Sequence, residues 1–176
     1  MLERLNDVQE RDLKLDALDA ERADVPTELV ELRAERARLD DRLRQRRSER
    51  DDLNAQVRTA EVDLQGLRER VKSASESALR AGSAKEAAQY QNQELQFATR
   101  AQELEEDTLP LMEQLERLET AVAELEAALT ELVPRLEEME SAEAERLAEI
   151  DEREGTLAEE REALAAEVPK PLLGQY

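Results

Sequence analysis

The chain has 176 residues, 40% of them charged, 40% hydrophobic and 2% aromatic, with a formal net charge of −20. One Phe, two Tyr and no Trp cannot fill a globular core of this length, whereas abundant Leu, Ala, Glu and Arg suit long helices and coiled coils. The absence of Cys and His removes disulfides, thiolate or imidazole metal sites, cysteine nucleophiles and Ser-His triads, and so large a negative charge repels nucleic acid and anionic membranes.

The first arm is expected over residues 1–81. Steps of three and four residues from Met1 give a heptad seam of one register through Val8, Leu15, Leu18, Leu29, Leu39, Leu43, Leu53, Val57, Leu64, Val71 and Ala78. Of its 24 stations, 18 are apolar and six are Arg. A disordered chain has no reason to space its leucines so regularly. Pro26 lies inside this arm. It lacks an N–H and crowds the carbonyl of Arg22, so a kink or short interruption is expected there. The seam continues from Val25 to Leu29 without a skip, so the two pieces should stay in one register.

A turn is expected at residues 82–86. Gly82 can adopt the left-handed conformation that ends a helix, and Ser83 with Glu86 has the S-x-x-E spacing of a capping box. The second arm, residues 87–168, repeats the seam. From Leu111 to Met139 every station is apolar. Past Met139 the stations include Glu143 and Arg146, and Leu147 offers an alternative inward residue. Pro110 and Pro134 predict two further kinks, with Pro134 near the level of Pro26. Val168-Pro169-Lys170-Pro171 stops the helix, and residues 169–176 form an exit segment.

The arms match in length, which predicts an all-α fold: a long antiparallel coiled-coil hairpin with proline kinks. Residues facing one another should sum to about 167, given arms of roughly 80 residues around one turn. Tyr90 then falls beside Ser77 and Ala78, and Phe97 beside Leu67 and Val71. Charge agrees with the pairing. Residues 1–81 hold 17 basic and 20 acidic side chains, and residues 82–176 hold 8 and 25. The arginine-rich stretch 33–50, including Arg36, Arg46 and Arg50, faces Glu119, Glu124, Glu126 and Glu131. Arg36 is expected to reach Glu131. Exposed pairs of this kind contribute about 0.2–1 kcal/mol each, so they select a register more than they stabilise it.

The carboxylate clusters Asp40-Asp41, Asp51-Asp52, Glu105-Glu106-Asp107 and Glu137-Glu138-Glu140 lie on a chain with no glycine-rich loop. They read as solvated helix faces, not as acid–base or cation sites. Catalysis is not expected. No apolar run approaches a membrane span, and residues 1–24 are charged throughout, so a cytoplasmic protein is expected. Gly82, Ser83, Lys85 and Glu86 form the candidate partner-binding tip, since an exposed tip is where a long hairpin can present residues that its seam does not need.

The stretch from Lys85 to Glu116 resembles a bacterial family of coiled-coil hairpins that carry a C-terminal C4-type zinc ribbon. The resemblance rests on Lys85-Glu86, on Gln91 to Glu94, and on Leu104, Glu105 and Asp107 leading to Leu109 and Leu111-Met112-Glu113. Val168-Pro169, Leu172-Leu173 and Tyr176 resemble the exit segment before the ribbon. Glu106 and Pro110 depart from the pattern. The resemblance implies a non-enzymatic adaptor or regulator with protein partners, linked in some members to flagellar or type III secretion and to the nitrogen-type alternative sigma factor. It implies zinc and any nucleic-acid contact only in the ribbon, whose two C-x-x-C pairs are missing here, so no cofactor is expected in this chain. Two alternatives stay open: a nucleic-acid-binding regulator acting through the missing ribbon, and a parallel homodimeric rod. A weak homodimer of hairpins is a further partner reading.

Overall fold

The computed structural model describes residues 2–168; the exit segment expected at 169–176 lies outside the described residues. Three helices account for nearly all of it: α1 (Leu2–Ala23), α2 (Thr27–Arg80) and α3 (Ala84–Ala166). By contacts the chain divides into two units. One joins residues up to Ala37 with those from Thr130 on, and the other is Arg38–Leu129. In each unit α3 runs antiparallel to the first arm, so the fold is the coiled-coil hairpin expected from the seam.

The buried apolar side chains all fall on that seam, while its station at the break, Val25, is 40% exposed and lies outside the helices. The buried ones are Val8, Leu18, Leu29, Leu39, Leu43, Leu53, Val57, Leu64 and Ala74 on the first arm, and Ala101, Val122, Leu125, Leu136, Ile150 and Val168 on the second. Every one stands at a station of the three–four stepping. Leu29, Leu136, Ile150 and Val8 are the largest side chains wholly removed from solvent, and all belong to the unit with the open end.

Cross-arm ion pairs follow an offset version of the predicted register. Ser77 and Tyr90 line one groove, and Arg70 stacks over Phe97 at 5.8 Å; both pairs of numbers sum to 167. The pairs Arg33–Glu140, Arg47–Glu126, Arg68–Glu105, Arg22–Asp151 and Asp12–Arg161 each sum to 173, and Arg11–Glu160 to 171. Side-chain direction explains the offset. Each Cα–Cβ bond tilts toward its own helix N-terminus, and long side chains cover the turn before their own Cα. In antiparallel arms the partners therefore lean toward one another from opposite ends. Backbones offset by about six residues, roughly 9 Å of rise, bring the charged ends to one level. Arg135–Glu28, with a sum of 163, reaches the other way.

The three internal prolines fall in two environments. Pro26 begins α2: its carbonyl accepts the N–H of Val30 at 3.2 Å, and the residues around it form the interruption between α1 and α2. A missing N–H costs nothing at a helix start, and the residue before proline, Val25, is steered away from helical angles. α1 and the start of α2 pair with the same continuous α3 on either side of this break, as Arg22–Asp151 and Arg33–Glu140 show. Pro110 and Pro134 lie within α3, which runs through both as one helix. Each lacks the N–H that would meet the carbonyl four residues back, that of Glu106 or Thr130, both exposed residues.

Candidate functional site

The tip is a turn of three residues, Ala81 to Ser83, between α2 and α3. It is shorter than the expected 82–86 because Ala84, Lys85 and Glu86 already form the first turn of α3. The capping box is present. Ser83 Oγ accepts the N–H of Glu86 at 3.2 Å, and Glu86 Oε2 accepts the N–H of Gly82 at 3.0 Å. The Ser83 carbonyl accepts the N–H of Ala87 at 3.0 Å and opens the helical ladder. One donor left over at the helix start, the Glu86 N–H, is thereby satisfied, and the Glu86 carboxylate closes the turn on Gly82, one residue before the Ser83 cap.

Gly82 corrects the sequence reading. No described glycine has a positive φ, so Gly82 does not use the left-handed cap that would require it. α2 ends instead with the Ala81 N–H turned to the Ala78 carbonyl at 3.5 Å. A Cβ on Gly82 would meet only Glu86 Oε2, at 3.8 Å, an ordinary contact.

These bonds divide the four tip candidates by role. Ser83, Glu86 and the Gly82 backbone are occupied in building the turn. Lys85 stands exposed beside them. Leu79, on the last turn of α2, is 86% exposed, a position that the seam did not single out. Arg80 bonds Glu76 along α2 at 3.3 Å. The tip therefore presents a free apolar side chain and a free cation on a turn held together by its own capping bonds.

Among the residues expected to join the arms by charge, Arg46 bonds Glu49 at 2.7 Å and Arg50 bonds Asp51 at 2.6 Å, both along α2. The Arg46 and Gln45 side chains lower the Glu49 pKa below its ordinary value. Arg47, next to Arg46 and three residues before Arg50, crosses to Glu126 at 2.6 Å. Arg36 is exposed on α2, and Glu119, Glu124 and Glu131 are exposed on α3.

A second polar centre, at the end of α1, was not legible as a site. Glu143 occupies a seam station and is only 8% exposed. Its two carboxylate oxygens take the guanidinium of Arg146 at 2.8 and 2.9 Å, a two-point pairing. Arg146 also donates to the carbonyls of Glu21 at 2.8 Å and Asp24 at 3.2 Å. It thus caps the C-terminal end of α1 from the opposite arm, where carbonyls lack helical partners and a cation is favoured. The Arg146 hydrogen bonds hold the Glu143 carboxyl below the usual range, against the opposing effect of burial, and Glu143 holds Arg146 further in its charged form. Leu147 is half-buried beside it, so both of the sequence alternatives face inward. The available signal was two opposite charges three residues apart in the seam, across from the only internal break of the first arm among the described residues.

No group of three metal-ligating side chains converges among the described residues, and the chain has neither Cys nor His to form a zinc ribbon. A ribbon's metal does not fit the residues present. No helix of the described residues is long and apolar enough to cross a membrane.

Comparison with solved structures finds this backbone elsewhere. A protein from Mycobacterium smegmatis matches with a TM-score of 0.83 and 27% identity, over 98% of this chain and 73% of that one. CT398 from Chlamydia trachomatis matches at TM-score 0.87 and 18% identity, over 99% and 74%. The HP0958 protein from Helicobacter pylori matches at 0.67 and 18%, over 99% and 74%. No curated protein matches this sequence. The family model for the CT398-like coiled coil hairpin domain matches residues 8–176, and the chain therefore belongs to that family.

Proposed function

We propose that this chain is a non-enzymatic scaffold whose tip, through Leu79 and Lys85, docks a protein partner. The observation that carries this reading is the division of labour at the tip. Ser83 and Glu86 account for the turn, while an 86% exposed leucine on α2 and an exposed lysine on α3 serve neither the turn nor the seam. A coiled-coil hairpin also fits a structural role, since its core is a seam and its carboxylates are spread over solvated faces.

The proposal extends to a longer form of the protein in which the hairpin positions a C-terminal zinc ribbon in the cytoplasm. The solved relatives support it to the extent that they are longer than the part matched here. Transcriptional or secretion-related regulation belongs to the same proposal and comes from the resemblance. Nucleic-acid binding would belong to the ribbon, because this chain carries −20.

The test replaces Leu79 by Asp and Lys85 by Glu together, keeps Ser83 and Glu86, and compares partners recovered by photo-crosslinking from the exposed position 88. Helix content should be unchanged and crosslinked partners lost. Recovery of the same partners by the double variant would show that the tip does not dock them.

A further inference from the structure

Within the unit Arg38–Leu129, away from the tip, a groove of about 350 Å³ opens between α2 and α3. Its floor is Leu64 and Thr108, both buried. Its lip is Leu109 and Met112, which remain 59% and 44% exposed. The volume lies within the range of clefts that take a ligand or a few anchoring side chains, about 300–1,000 Å³.

The sequence explains the opening. Thr108 occupies a seam station among leucines but is smaller, and its hydroxyl donates to the Leu104 carbonyl at 2.6 Å, so it neither fills the gap nor bridges the arms. Leu109 and Met112 lie off the seam, so joining the arms does not require them. Isolated exposed apolar residues are ordinary on any surface. Here two large ones border a groove floored by Leu64 and by a Thr108 whose hydroxyl is already bonded within α3, an arrangement that accepts anchor residues from a partner helix.

The surrounding charge states which helix. From Glu103 to Glu116, α3 carries six carboxylates and no basic residue, while residues 57–68 of α2 carry two Arg, one Glu and one Asp. Arg68, the basic residue lining the groove, is already paired with Glu105. We propose that this groove seats an amphipathic helix from a protein partner, with bulky apolar anchors between Leu64 and Met112 and Lys or Arg flanks against the carboxylates. Nucleic acid would bring negative charge to an acidic rim, as would most of a second copy of this chain, whose net charge is −20; its arginine-rich stretch 33–50 is the exception. The surface is distinct from the tip and does not depend on it.

The chain's three methionines allow a direct reading on the whole protein. Methyl-labelled Met112 is followed by NMR, with Met139, half-buried in the other unit, as the internal control. The probe is an amphipathic helical peptide of Leu and Lys, compared with its Leu and Glu counterpart. The Met112 methyl should shift saturably with the Lys peptide while Met139 stays fixed. Affinity should fall as salt rises, and the Glu peptide should bind at least about tenfold more weakly. Leu109→Asp should abolish the shift with helix content unchanged, and Leu109→Gln should weaken it. Equal responses to both peptides, a shift that survives in both variants, or movement of Met112 with protein concentration alone would each overturn the proposal, the last by identifying a second copy as the occupant.

Discussion

At the scale of single residues, Glu143 and Arg146 show how a charge comes to sit in a leucine seam. Glu143 is tolerated there because Arg146 meets both its oxygens, and Arg146 because two α1 carbonyls take its remaining donors. No buried side-chain nitrogen or oxygen among the described residues lacks a hydrogen-bond partner. The Glu143 pKa is lowered in the fold from its ordinary 4.5, so its contribution to stability is fully present above that value and is lost as pH falls through the lower, folded one. Glu143→Gln should therefore melt below the parent at pH 7, and the gap should close on acidification to below about pH 4. Thermal melts of both proteins across pH 3–7 check this, and a gap independent of pH would refute it. Gly82 predicts the opposite kind of result. Its φ is not positive and space exists for a Cβ, so Gly82→Ala should be neutral or stabilising by up to about 1 kcal/mol in chemical denaturation.

At the scale of the helices, seam and surface divide the work. Leu29 and Leu136 are wholly buried, so Leu→Ala at either should cost about 2–5 kcal/mol. Leu79→Ala, on the same arm but exposed, should stay within about 0.5 kcal/mol. Urea titration of the three variants separates the two classes. Arg47 and Glu126 form an exposed cross-arm pair, and a double-mutant cycle to Ala should return a coupling of only about 0.2–1 kcal/mol. Such pairs set which turns face each other; one buried leucine outweighs several of them.

The break between α1 and α2 belongs to this scale as well. Arg146→Ala removes the cross-arm cap while leaving Val8, Leu18 and Ile150 in the seam. Amide hydrogen exchange should quicken around residues 20–30 before it does in the Arg38–Leu129 unit. A uniform increase along the chain would show that Arg146 supports the whole fold and not this junction.

At the scale of the molecule, charge is the governing property. With −20 over 176 residues, the hairpin should show no measurable affinity for duplex DNA at physiological salt, as fluorescence anisotropy would report. Against that background, the tip offers a lysine and an exposed leucine, and the Leu64–Met112 groove an apolar cleft with an acidic rim. The two surfaces call for partners of different chemistry.

Much of this protein was readable from local repetition. Helical periodicity placed every buried apolar residue on a seam station, and Ser83 with Glu86 marked the turn, because a heptad seam and a capping box depend on neighbours within a few residues. Tertiary structure decided what depends on the opposite arm. Arg46 and Arg50 bond along α2 while Arg47 crosses to Glu126, since reach depends on which way each side chain leans and not on charge alone. Pro26 starts a helix, whereas Pro110 and Pro134 lie inside one, because a continuous α3 packed on its partner arm offsets the loss of one hydrogen bond. Arg146 became a cap, and Leu109 and Met112 the lip of a groove, only when the facing backbone and its gaps were in place. Sequence determined the seam and the turn because both are short-range patterns; the cap, the crossing pairs and the groove required the two arms to be brought together.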